Sequence, residues 1–87
     1  MFIKRKELKP MQELLKVMAQ GLVNDPSAVE VSVDEINEEG IIVFHLHVGP
    51  EDMGRVIGKQ GRIAKALRVI MRSVANHNNQ KISVEID

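Results

Sequence analysis

Gly58-Lys59-Gln60-Gly61 is the stretch of this chain whose residue types and spacing could do chemistry. Glycine has no Cβ, so Gly58 is expected to end one helix in a left-handed conformation and Gly61 to open the next, with backbone amides left pointing outward. The first amides of a helix have no internal partner and carry roughly half a positive charge between them. Such a junction is a seat for an anion, and Lys59 and Arg62 add mobile positive charge beside it. The chemistry implied is close capture of a phosphate backbone. If the glycines served only as helix caps, the basic residues clustered around them would have no purpose in common.

Other constellations carry less. Gly54-x-x-x-Gly58-Lys59-Gln60 invites comparison with a nucleotide-binding loop, but the spacer is one residue short and Gln60 has no hydroxyl to offer magnesium. No strand leads directly into it either. His45 and His47 share one strand face at a spacing that can chelate a metal, yet His77 lies in a distant loop and the chain has no cysteine. Ser27, Ser32, Ser73 and Ser83 lack the setting of a nucleophile. No catalytic residue, metal, cofactor or small-molecule substrate is expected.

At 87 residues the chain is one domain with a single modest core, and without cysteine it suits a reducing cytoplasm. No apolar run approaches the ~20 residues of a bilayer span, and none follows the charged first residues, so neither a membrane nor export is expected. The net charge is zero, with twelve Lys and Arg against twelve Asp and Glu, but the charges are segregated. From Asp25 to Asp52 every charged residue is acidic: Asp25, Glu30, Asp34, Glu35, Glu38, Glu39, Glu51 and Asp52. From Gly54 to Lys81 every one is basic: Arg55, Lys59, Arg62, Lys65, Arg68, Arg72 and Lys81. The second block is an electrostatic footprint for a polyanion unless the fold uses the first to neutralise it.

Elements must position these residues. Met11, Leu14, Leu15, Met18 and Leu22 recur at helical spacing until Asn24-Asp25-Pro26 stops the pattern. Val29, Val31 and Val33 alternate with Glu30, Ser32 and Asp34 in a strand ending near Ile36, and Asn37-Glu38-Glu39-Gly40 supplies a turn. Ile42, Phe44, Leu46 and Val48 then alternate with Val43, His45 and His47, so the two strands form a hairpin. Pro50 opens a short helix to about Ile57. Beyond the glycines, Ile63, Leu67, Ile70 and Val74 make the apolar stripe of a longer helix to about Ala75. Asn76 to Gln80 breaks it, and Ile82, Val84 and Ile86 alternate in a last strand. The order α-β-β-α-α-β predicts an α+β, two-layer fold, a three-stranded mixed sheet with helices packed on one face and the last strand parallel to the middle one.

In this order of elements, Val56-Ile57-Gly58-Lys59-Gln60-Gly61-Arg62-Ile63-Ala64 resembles the KH signature V-I-G-x-x-G-x-x-I, with isoleucine one place early. The longer run from Pro50 to Ala66 is similar to the stand-alone bacterial type II KH proteins of the KhpA family. The likeness covers residues 11–87, and residues 1–10 form a basic N-terminal extension outside it. The resemblance implies single-stranded RNA as ligand, about four nucleotides held by a glycine clamp beside an aliphatic groove. Carried over, Gly58, Lys59, Gln60 and Gly61 form the clamp, while Val56, Ile57 and Ile63 line the groove. Arg62 and Lys65 reach phosphates, and residues 76–80 with strand 81–86 make the opposite wall. It further implies a homodimer or a heterodimer with a second KH protein, KhpB (Jag/EloR). RNA chaperone activity linked to cell elongation, cell shape and peptidoglycan homeostasis is also implied.

With only Phe2 and Phe44 as aromatics, the chain lacks the stacking platform of an RNA-recognition motif or cold-shock barrel, and an aliphatic groove needs none. The competing function is a dimerisation module without direct RNA contact.

Overall fold

The computed structural model describes the backbone of residues 5–34 and 38–87, with the side chains of all of these except 5–7, 59 and 60. Alternation over Ile41–His47 makes the central strand, β2, which buries Ile42, Phe44 and Leu46 on one face. Glu30–Val33 (β1) pairs with it antiparallel, setting Val31 opposite Leu46 and Val33 opposite Phe44. Lys81–Ile86 (β3) pairs with its other edge in parallel, with Ile82, Val84 and Ile86 opposite Ile42, Phe44 and Leu46. The sheet order is β1-β2-β3, the mixed sheet expected.

Helix α1 (Arg5–Leu22) packs on β1, and α2 (Pro50–His77) packs on β3 and on α1, so both helices cover the same apolar sheet face. The fold is therefore the two-layer α+β arrangement. Its core joins Leu8, Met11, Leu15 and Ala19 of α1 to Ala64, Leu67 and Met71 of α2 over Phe44, Ile42 and Leu46. A 3-10 helix, Pro26–Ala28, links α1 to β1. Among the described residues no helix is long and apolar enough to cross a membrane.

Several boundaries differ from the sequence expectation. Helix α1 begins at Arg5 and runs through Pro10, and Leu8, only 7% exposed, is part of the core, so the later residues of the basic extension are folded into the domain. Residues 1–4 lie outside the described residues, as do Glu35, the expected strand end at Ile36, and Asn37. The described strand stops at Val33. In α2 the buried stripe is Ala64, Leu67, Met71 and Ala75, and Ile70 is 44% exposed. Ile63 and Val74 of the expected stripe are partly buried against the core, so the buried face is turned by about one residue from the one expected.

The two helices expected around the glycines are assigned as one, α2, and the break is a single residue. Gly61 has φ +66, while Gly58 is not left-handed, the reverse of the expected assignment. The first helical segment thus runs on through Gln60 and ends against Gly61 in the position where helices commonly carry a left-handed glycine. A left-handed residue cannot continue a right-handed helix without changing its direction, so α2 has two segments meeting at Gly61.

Candidate nucleic-acid interface

The site is built on the first segment of α2, and that segment is positioned by polar contacts. Gly49 caps it, Pro50 opens it, and Glu51 and Asp52 place carboxylates in the first turn against the positive helix end. Asp52 is 1% exposed, and its carboxylate accepts the backbone N–H of Asn24 at 2.9 Å and of Asp25 at 3.0 Å. Arg55 Nη1 donates to Asn24 Oδ1 at 2.9 Å. Between them these bonds tie the segment to the loop that leaves α1. Arg55, a member of the basic block, is partly spent on this structural contact.

Gly58 needs explaining. It sits inside a helix at a conformation any residue adopts, and a Cβ there would meet nothing within 4 Å. Glycine in a helix interior costs about 1 kcal/mol relative to alanine. Neither backbone conformation nor packing within the chain requires that cost. Gly54, one turn earlier on the same helix face, is equally free of neighbours. Together they leave a bare strip of backbone running into the tetrapeptide, over which a ligand can come close.

The other expected site residues fall in distinct places. Ile57 is 51% exposed beside the glycines and Ile63 is partly buried. Val56 is 1% exposed and belongs to the core, where it supports the segment from beneath and has no surface to give a ligand. Arg62 and Lys65 are exposed just beyond Gly61, and the side chains of Lys59 and Gln60 lie outside the described set.

Two residues that were not singled out join the site. At helical spacing, Arg62, Lys65, Arg68 and Arg72 occupy about a third of the helix circumference. Arg68 and Arg72 line a groove of about 380 Å³ with Ile82, Ser83, Val84 and Glu85 of β3. Arg68 Nε donates to the Val84 carbonyl at 3.2 Å. The even spacing of the cations was the available signal. The expected opposite wall is thus supplied by β3, whereas Asn78 and Gln80 border a separate cavity with Pro10, Met11, Leu14 and Val74.

The acidic block does not neutralise these cations. Among the described residues, Arg62, Lys65, Arg68 and Arg72 have no ion pair, and the ion pairs found belong to His45. On the outer face of the sheet, His45 Nε2 lies 2.7 Å from Asp34 Oδ2 and Nδ1 lies 3.8 Å from Glu85 Oε2. The hydrogen bond with Asp34 raises the His45 pKa above its usual 6.5; partial burial opposes this, and the charges of Asp34, Glu85 and Asp87 reinforce it. His45 thus joins carboxylates of β3 and of the residue after β1, and Glu85, which it reaches at 3.8 Å, also borders the groove of Arg68 and Arg72.

Comparison with known proteins agrees with this architecture. The RNA-binding protein KhpA of Clostridium perfringens is 49% identical over 76 residues, which span 87% of this chain and 99% of that protein. RNA-binding protein KhpA of Listeria monocytogenes is 43% identical over the same length, covering 97% of that protein. Among solved structures, Aquifex aeolicus Era bound to GDP.AlF4- superposes with a TM-score of 0.63 at 18% identity, over 88% of this chain and 29% of that one. Era in complex with MgGDPNP and nucleotides 1506–1542 of 16S ribosomal RNA gives 0.61 at 17% identity, over 87% of this chain and 28% of that one. At such identities the Era likenesses show the fold alone. The family described as KhpA/KhpB, KH domain, matches residues 12–86, so the chain belongs to the KhpA/KhpB KH-domain family.

Proposed function

We propose that this chain is a non-catalytic protein that binds single-stranded RNA, with the backbone of 58–61 clamping phosphates and Arg62 and Lys65 contacting the next ones. The observation that carries this reading is Gly58, a helix-interior glycine that no backbone conformation or packing contact among the described residues requires, followed by Arg62 and Lys65, which have no ion pair among the described residues. The name of the relatives, RNA-binding protein KhpA, supports it. Lys59 and Gln60 meet phosphate at the middle of the clamp, and Ile57 and Ile63 form the apolar side of the groove.

Replacing Lys59 and Gln60 with aspartate is expected to abolish binding of a short single-stranded RNA in fluorescence anisotropy while circular dichroism stays unchanged. Wild-type affinity should fall with salt at a log-log slope of about 0.7 per phosphate contacted, or about 2 to 3 in total. A folded double variant with unchanged affinity would overturn the clamp.

The wider reading is of a cytoplasmic RNA chaperone working as a homodimer or with KhpB, in a pathway of cell elongation and peptidoglycan homeostasis. Exposed Ile57, Val69 and Ile70 favour a pairing surface on α2. They also support the second reading, a dimerisation module without RNA contact. Sedimentation at micromolar concentration with and without KhpB tests pairing, and a strict monomer in both would refute it.

A further inference from the structure

The free edge of β3 and the arginine laid across it carry an inference that rests on the RNA-binding reading. Asp87 donates its N–H to the Leu46 carbonyl at 2.9 Å and accepts from the Val48 N–H at 3.3 Å. Successive residues of a strand turn their polar groups to opposite edges, so residue 85 also faces β2 and Val84 faces away from it. The position of Arg68 Nε, 3.2 Å from the Val84 carbonyl, agrees. That bond uses one of the five guanidinium N–H groups and leaves the paired Nη groups unspent. No carboxylate among the described residues takes them. Arg68 is therefore a planar fork, held at its stem, in a groove of about 380 Å³, within the range of small-ligand sites.

A fork of two parallel donors reads two adjacent acceptors. Guanine presents O6 and N7 side by side and cytosine presents O2 and N3, whereas adenine and uracil set a donor beside each acceptor, and that donor would face the guanidinium. In a single strand both of these edges are free for recognition. We infer that Arg68 is a specificity-determining residue that selects guanine or cytosine over adenine and uracil at the groove position beside Val84. Arg72, one turn further on and bonded to no described residue, contributes charge without base choice.

The test is anisotropy at one fixed salt concentration with heptauridine and three variants carrying a single central guanine, adenine or cytosine. The wild type is expected to bind the guanine and cytosine oligomers about tenfold tighter than the adenine oligomer and heptauridine. Arg68→Lys keeps the charge but not the fork and should bring that ratio to about one, with circular dichroism checking the fold. Arg72→Gln should weaken all four about equally and leave the ratio intact. Equal wild-type binding to all four, a preference for adenine or uracil, or a preference for guanine or cytosine that persists in Arg68→Lys would overturn the inference, and the wild-type panel decides even if a variant fails to fold. Loss of binding to all four at low salt would instead overturn the RNA-binding reading itself, and this inference with it.

Discussion

Residues 62–77 of α2 are fixed by area, with Ala64, Leu67, Met71 and Ala75 buried against the rest of the fold, whereas residues 50–60 bury one apolar side chain, Val56, among those described. That first segment is fixed by direction instead, through the Asp52 carboxylate and the Arg55 guanidinium reaching the loop after α1. Hydrophobic burial is non-directional and rewards whatever apolar surface is covered. Hydrogen bonds to a buried carboxylate demand one geometry. A segment that leaves Ile57 and a bare glycine strip uncovered is not secured by burying them, and its polar first turn holds it instead.

The largest effect should come from the second segment. Leu67→Ala is expected to cost about 2–5 kcal/mol of stability, read as a lower urea midpoint at unchanged slope, with the RNA affinity of the remaining folded protein unaltered. Asp52→Asn keeps the shape but loses one acceptor, and should cost about 1–3 kcal/mol. Its signature differs: RNA affinity should fall in protein that circular dichroism reports as folded, because the clamp is no longer held in place. If Asp52→Asn lowers stability alone, or Leu67→Ala weakens binding in the folded fraction, the division between area and direction is broken.

The smallest effect is expected away from both segments, at His45. Its pKa is higher in the folded protein than in the unfolded chain, so its stabilisation is fully present below about pH 6.5 and is lost as pH rises through the folded value. The melting temperature should decline slightly over that rise, and His45→Gln should flatten the decline. RNA binding at fixed salt should follow it only weakly, because His45 lines no part of the groove of Arg68 and Arg72 and reaches it only through Glu85.

Much of this was legible in the chain. Alternation in residues 41–48 and 81–86 marks strands with one buried face because an extended backbone turns every second side chain the same way, and the parallel return of β3 follows from the intervening helix. The glycine tetrapeptide and the cations around it were legible for the same local reason. What local pattern could not supply was anything set by contacts between distant parts. The role of Asp52 depends on N–H groups of Asn24 and Asp25 nearly thirty positions away, and the place of Arg68 depends on Val84. Val56 reads as a groove residue by its neighbours in sequence, and only the packing of α2 turns it inward. The left-handed glycine was read as Gly58 and is Gly61, since either glycine can adopt that conformation and the difference is how far the first helical segment runs.

The left-handed turn at Gly61 also bears on the route by which the chain folds. The β1–β2 hairpin closes through a short turn, but Ile41 must find Lys81 across about forty residues, an entropic cost that local contacts have to offset first. Helix α2 occupies most of that span, and its rod-like segments reduce the search to a few joints, of which Gly61 is the central one. With the rods formed, the angle at that joint aims the chain back towards the open edge of the hairpin. Substitution of Gly61 by alanine is therefore expected to slow refolding, read by stopped-flow, as well as to weaken RNA binding.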